Sequence, residues 1–426
     1  MKPMPTILFM VACDSLAHPS RELVIAQALR ERFNGIIACA GTGKYGALFL
    51  EAGFPFYEIA GPPGDFVDRI RNLRKLGGSY IYFLRKQIES ELELYGSLQP
   101  DLVVLDARWS AVFSAEVFDV PCIAIVNASM LPTPSVVYSS IARTFIRLIG
   151  IPWLERVLER VPARSLRAIA SVAYKVALFF LRRAVNRVRS TYNLRPLKSA
   201  TVTDLLQSLQ AVILVDLELM APREQLPENC HYVGPVVWQP AVEMPKALQN
   251  SHDLVYITAG STGNAEMFNL LIAAFDQIPE IEAVVAVGDL VEPERLTPLP
   301  GNVQVYRFLP GIEMAKRSQL VICHGGLGTI YQALSQGVPI LGIPFLVSHE
   351  APSLDRVEAL GVGRKLVDTR LTPEKIARTV REMLGNDAYR KAARDLAARF
   401  RLEDGPQRAA AIILNEVGKG REASHV

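Results

Sequence analysis

Short apolar runs recur along the chain, each followed by a polar or glycine-containing stretch and then by apolar residues at helical spacing. Runs of this length without polar alternation read as strands covered on both faces. In the first half they predict strands at Thr6–Ala12, Gly35–Cys39, Leu102–Leu105, Cys122–Val126 and Ala211–Val215. A second series starts at Leu254–Ile257 and continues through Glu282–Val287, Val303–Tyr306, Leu320–Cys323 and Ile340–Ile343. Strands alternating with helices make parallel, doubly wound sheets, so the fold class is α/β. Between the two series lies "APREQLPENCHYVGPVVWQPAVEMP" (221–245), whose prolines suit a linker. The last helical segment, Pro406–Val417, has a pattern that fits either domain.

Length supports the same division, because 426 residues exceed one ordinary core. Half the residues are apolar and about a fifth charged, as in a folded soluble enzyme. The five cysteines (Cys13, Cys39, Cys122, Cys230, Cys323) are scattered, without a Cys-x-x-Cys pair. Neither a disulfide framework nor a zinc site is expected, and a reducing cytoplasm fits. Thr6–Ala12 runs into a loop and helix without a small-residue cleavage site, so no signal peptide is expected. The most hydrophobic window, 168–181, contains Lys175 and is too short to span a bilayer.

Charge is distributed unevenly. Residues 139–198 hold thirteen Arg and Lys, from Arg143 to Lys198, against Glu155 and Glu159, a surplus of +11. The whole chain carries +3, which leaves −8 for the remainder. The apolar positions between these charges have helical spacing, so the stretch reads as a basic helical insert. Its polar face is either plainly solvated or meets an anionic membrane or acceptor. No recognition motif accompanies the charge, so nucleic acid is not expected as a partner.

Two glycine-rich loops carry the candidate chemistry. The first follows the strand at Leu320–Cys323 and reads His324-Gly325-Gly326-Leu327-Gly328-Thr329. Gly325, Gly326 and Gly328 let backbone N–H groups approach a ligand, and Thr329 stands where a helix begins. Free amides and helix dipole together suit a phosphate. Gln332, three residues beyond Thr329, shares its helical face and can reach a group attached to that phosphate, such as a ribose. The second loop, "GTGKYG" (41–46), matches Gly-x-Gly-x-x-Gly. A dinucleotide fingerprint should open the first strand–helix unit and be followed by an acidic residue about twenty positions on. This one opens the second unit, and Glu58, Asp65 and Asp68 are poorly placed.

The stretches "NVQVYRFLP", "SQLVICHGGLGTIYQALSQGVPILGIPF" and "RVEALGVG" resemble the C-terminal donor-binding domain of GT-B glycosyltransferases. The likeness is to the UDP-glucosyltransferase-like family that includes macrolide and sterol glucosyltransferases. "HPSRELVIAQAL", "PDLVVLDARWSAVFSAEVFDVPCIAIV", "HYVGPVVW" and "VYITAGSTGN" match other parts of that family in the same order. The resemblance covers nearly the whole chain apart from 139–198. It implies two Rossmann-like domains facing a cleft: an acceptor-binding domain at 1–235 containing the insert, a linker at 236–250 and a donor-binding domain at 251–405. A C-terminal helix and tail follow at 406–426.

The implied reaction is inverting transfer of a hexose from a nucleotide diphosphate sugar, UDP- rather than dTDP-, to a hydroxyl of an apolar or lipid-like acceptor. His18 would be the general base, held by Asp106. The diphosphate would lie on His324, Gly325, Gly326, Gly328 and Thr329, assisted by Gly260, Ser261 and Thr262, with no metal or other cofactor required. The base would pack near Arg307, Phe308 and Leu309, with Gln332 on the ribose. Gln332 stands where the family often has Glu. Where the family has an Asp-Gln pair on the sugar hydroxyls, this chain has His349-Glu350. That departure favours a second reading, a non-catalytic sugar-nucleotide-binding activator of another glycosyltransferase, and the same fold also admits a nucleotide-sugar epimerase. The implied location is the cytoplasm, with peripheral membrane contact through 139–198 as one use of the insert.

Overall fold

The computed structural model describes residues 4–61, 73–131, 178–198, 201–222, 226–260, 265–296, 298–344, 350–367, 371–400 and 404–423. The chain forms two compact units. The first contains residues 1–216, 223–233 and 405–426; the second contains 217–222 and 234–404.

The first unit holds a seven-stranded sheet: β1 (Thr6–Ala12), β2 (Ile36–Thr42), β3 (Phe56–Glu58), β4 (Leu102–Asp106), β5 (Cys122–Val126), β6 (Ala211–Leu214) and β7 (Cys230–Tyr232). All pairings are parallel, and the order is β3-β2-β1-β4-β5-β6-β7. Its helices are α1 (Ala17–Arg30), α2 (Ala47–Glu51), α3 (Leu73–Leu98), α4 (Ser110–Phe118) and α5 (Val202–Gln207). Central strands β4 and β5 are buried at every position, as their unbroken apolar runs require.

The second unit has six parallel strands: β8 (Leu254–Thr258), β9 (Ala283–Ala286), β10 (Val303–Tyr306), β11 (Ser318–Cys323), β12 (Ile340–Gly342) and β13 (Gly363–Lys365). Their order is β10-β9-β8-β11-β12-β13. Its helices are α6 (Ala265–Asp276), α7 (Gly311–Lys316), α8 (Leu327–Ser335), α9 (Glu350–Ala359), α10 (Pro373–Leu384) and α11 (Asp387–Phe400). Alternation along the strands divides the core between the two faces. Leu254, Tyr256, Val321 and Cys323 join one cluster, whereas Val255, Ile257, Leu320 and Ile322 join the other.

One feature departs from the sequence reading, and one that it left open is decided. The 221–245 passage is not all linker: Cys230–Tyr232 is edge strand β7, and Leu217–Pro222 belongs to the second unit, where Arg356 Nε donates to Leu219 O at 2.6 Å. The C-terminal helix α12 (Gly405–Ala423) packs on α1 of the first unit, with Arg408 donating to Tyr232 O at 3.0 Å. Residues 139–177 of the basic insert lie outside the described residues. Its remainder has a helix over 178–191, where Arg189 clamps Glu116 of α4 with bonds of 2.7 and 2.8 Å. Among the described residues no helix is long and apolar enough to cross a membrane.

Candidate active site

Both sheets reverse direction beside their first strand, between β1 and β4 in one unit and between β8 and β11 in the other. Ligands of such sheets gather at the carboxyl ends of the strands flanking that reversal. His18 and Asp106 lie at the first of these places, and His324 to Thr329 at the second.

In the first unit, His18 lies in the opening turn of α1 and Asp106 ends β4, in register with Val11 of β1. Ala107 then turns out of the strand with φ 57°, left-handed backbone that a residue with a Cβ adopts only under constraint. His18 Nδ1 lies 2.8 Å from Asp106 Oδ1; the carboxylate is fully buried and the imidazole 24 % exposed. Arg21, one turn further along α1, donates through Nε to Oδ2 and through Nη2 to Oδ1 of the same carboxylate. Burial by itself would raise the Asp106 pKa, but the charges of Arg21 and His18 outweigh it and hold the group below the usual carboxylate range. An ionised Asp106 can only accept, so Nδ1 carries the proton in this pair. The 3.1 Å between Arg21 Nη2 and His18 Nδ1 is then the spacing of two donors that share one oxygen.

The network continues. Arg21 Nη1 donates to Asn127 Oδ1, beyond β5, and Asn127 Nδ2 donates to Asp216 Oδ1 at 3.2 Å, beyond β6. Ala128 N donates to the other oxygen of Asp216 at 2.5 Å. Burial opposes the Arg21 charge, but Asp106 and then Asp216 hold its guanidinium above the ordinary value. Arg21, Asn127 and Asp216 were missed in the sequence. The available signal was a polar residue directly after each apolar strand run, together with the His18–Arg21 spacing.

In the second unit, β11 passes into His324 and Gly325, the latter at φ 111°. Gly326 is the N-cap of α8 with extended backbone, no side chain caps the helix and its first turn holds no acidic residue. The amides of Leu327, Gly328 and Thr329 therefore begin a dipole with nothing negative supplied by the cap or first turn. His324 is buried, and its ring fills the space over two glycines. A Cβ on Gly326 would come 2.9 Å from the ring, and one on Gly260, itself at φ 60°, would come 3.0 Å from it. Gly328 is different, because a Cβ there meets nothing within 4 Å. The loops after β8, β9 and β10 also meet: Gly288 N donates to Arg307 O at 2.7 Å, and Phe308 lies beside Gly288, 41 % exposed.

Other expected ligand residues are engaged elsewhere. The Arg307 guanidinium faces Asp289 at 3.2 Å and Glu292 at 3.7 Å. Leu309 is a core side chain, which leaves only its backbone to meet a ligand. Gln332 donates its amide to Trp238 O at 2.6 Å and lies against Gly311. Glu350 opens α9, while Ser261, Thr262 and His349 lie outside the described residues. In "GTGKYG", Gly41 lies under Val11, Gly43 (φ 118°) against the Cys13 backbone and Gly46 against the Phe56 ring. Close packing accounts for all three, with no phosphate needed.

Residues 272–415 match the family described as "Erythromycin biosynthesis protein CIII-like, C-terminal domain". A "PGL/p-HBAD biosynthesis glycosyltransferase" of Mycobacterium tuberculosis is 30% identical over 405 residues, 92% of this chain and 88% of its own. The chain is a GT-B glycosyltransferase. A "PGL/p-HBAD biosynthesis rhamnosyltransferase" of Mycobacterium bovis is 29% identical, over 92% of this glycosyltransferase and 84% of the relative. The structure titled "Spinosyn Rhamnosyltransferase SpnG complexed with thymidine diphosphate" superposes with a TM-score of 0.66 at 19% identity, covering 97% of this glycosyltransferase and 100% of SpnG. Two doubly wound parallel sheets and transferase relatives bear out the expected fold class and enzyme class.

Proposed function

We propose that this glycosyltransferase moves a hexose from a pyrimidine nucleoside diphosphate to a hydroxyl of an apolar or lipid-like acceptor, with inversion. The observation that carries the reading is the His18–Asp106 pair: a part-exposed imidazole whose Nδ1 proton is fixed by a buried carboxylate. That arrangement leaves Nε2 to take the acceptor's proton as its oxygen attacks the anomeric carbon. A single displacement with such a base inverts the carbon. The departing diphosphate settles on the first turn of α8, where the amides of Gly328 and Thr329 and the helix dipole meet its charge without a metal. Exposed Phe308 offers a face to the nucleobase. The sequence resemblance favours UDP; the rhamnosyltransferase relative and the thymidine diphosphate of SpnG bring dTDP into the same test.

The acceptor class rests on the mycobacterial relatives' names and on the basic insert. At the insert's described end, Phe180 is 63 % exposed, and Arg182 and Arg183 lie over the Phe179 ring. Aromatic side chains among arginines suit the boundary of an anionic membrane.

The deciding experiment is a thermal-shift panel with UDP, dTDP, GDP and NAD, followed by product analysis with the corresponding sugars. A ligand at 100 times its Kd adds about 2.7 kcal/mol. UDP or dTDP should stabilise both the wild type and His18→Ala, whereas transfer should fall at least ~100-fold in His18→Ala. Stabilisation by NAD alone, or transfer undiminished in that variant, defeats the reading.

A further inference from the structure

The bidentate grip of Arg21 on Asp106 poses an electrostatic problem. A His–Asp pair helps a base because the carboxylate stabilises the imidazolium that forms. Here a guanidinium neutralises that carboxylate and stands 3.1 Å from the imidazole nitrogen. His18, Asp106 and Arg21 alone would give an imidazolium as much repulsion as attraction. The buried Asp216 adds a second negative charge to the same network through Asn127, whose oxygen faces Arg21 and whose amide faces Asp216.

We infer that Arg21 and Asp216 are positioning residues for His18: Arg21 fixes the Asp106 carboxylate, and Asp216 offsets the Arg21 charge so that the His18–Asp106 pair keeps its net negative character. This deepens the reading of His18 as general base and rests on it. With Asp106 and Asp216 ionised and Arg21 protonated, the network carries one net negative charge, which a protonated His18 neutralises.

The surrounding charges do not alter that balance. Glu22, next to Arg21 on α1, is fully buried with neither oxygen hydrogen-bonded, and burial followed by the Asp106 charge raises its pKa well above the usual carboxylate range, which favours the neutral form. Asp14 and Arg108, on the loops after β1 and β4, act on one another and on the buried Cys13 thiol. Arg108 is also taken by Glu91. Helix α12 packs on α1, and Gln407 meets Glu31 beyond the C-terminal end of α1, away from His18.

The test needs no acceptor. The full chain, labelled at its six histidines, is titrated by NMR, with the His18 ring signal assigned from its loss in His18→Gln. Arg21→Gln should raise the His18 midpoint by about one pH unit, and Asp216→Asn should lower it by less, being further away. The double variant should return it towards the wild-type value. Midpoints that move together, or that stay put while both variants merely lose thermal stability, overturn the inference. If Arg21→Gln fails to fold, Asp216→Asn decides alone, and an unmoved or raised midpoint sinks the idea. UDP release from UDP-glucose by His18→Ala separates the two claims. Loss of release with unmoved titrations defeats only the positioning role; undiminished release defeats the base.

Discussion

Two glycines in the same site should respond oppositely to the same added methyl. Gly328 is exposed, helical and faces open space, so Ala there gains roughly 0.5–1 kcal/mol of helix propensity. If the space holds the donor's diphosphate, Gly328→Ala melts at or above the wild-type temperature yet binds UDP or dTDP at least ~10-fold more weakly, which calorimetry checks. Gly260 has a left-handed backbone, and a Cβ there would lie 3.0 Å from the His324 ring. Gly260→Ala should lose about 1–2 kcal/mol in urea unfolding from the backbone alone. The "HGGLG" motif suggested a loop suited to phosphate but not this division of labour. Whether a glycine yields to its own helix, a neighbouring ring or a ligand depends on what stands opposite.

Helix α3 is tied to the sheet by a buried polar cluster. Arg108, two residues beyond β4, donates to Glu91 at 2.7 Å and to Ala60 O at 2.5 Å, while Ser110 Oγ donates to Glu91 at 2.6 Å and Ser114 adds a further bond. Removing one partner of a buried pair strands the other charge, at a cost of about 3–5 kcal/mol. Glu91→Ala should lose about that much in urea unfolding, and Glu91→Leu with Arg108→Met distinctly less than the two single losses added together. This cluster, like Arg189 on Glu116, gave no periodic signal. The strands absent from the sequence reading share one property: β3 (FYE), β7 (CHY) and β13 (GRK) are three-residue edge strands. An edge strand is covered on fewer sides, so its residues need not form the apolar run that reveals a central strand.

For the whole molecule, pH acts in opposite senses on two fully buried carboxyls beside His18. Asp106 has a lowered folded pKa, so its contribution is present above the unfolded value of about 3.9 and fades as pH falls through the folded one. Glu22 is raised by burial and then by Asp106, so the folded state holds its proton more tightly than the unfolded chain. Its contribution is complete below about 4.3 and declines as pH rises towards the folded value. Glu22→Gln should therefore raise the melting temperature at neutral pH and flatten its decline above about pH 4.3; a scan showing equal slopes would count against a buried acid. By itself, the sequence determined the α/β class and the central strands, because burial on both faces leaves a local signature; the candidate phosphate loop came from its glycines, and the His18–Asp106 candidates came from the family resemblance. Only the tertiary structure decided that Arg21 takes Asp106, 85 positions away, that Gln332 turns to Trp238, that α12 returns to the first unit and that the "GTGKYG" glycines serve packing. These partners are set by the order in which strands lie side by side, and no spacing along one chain records that order.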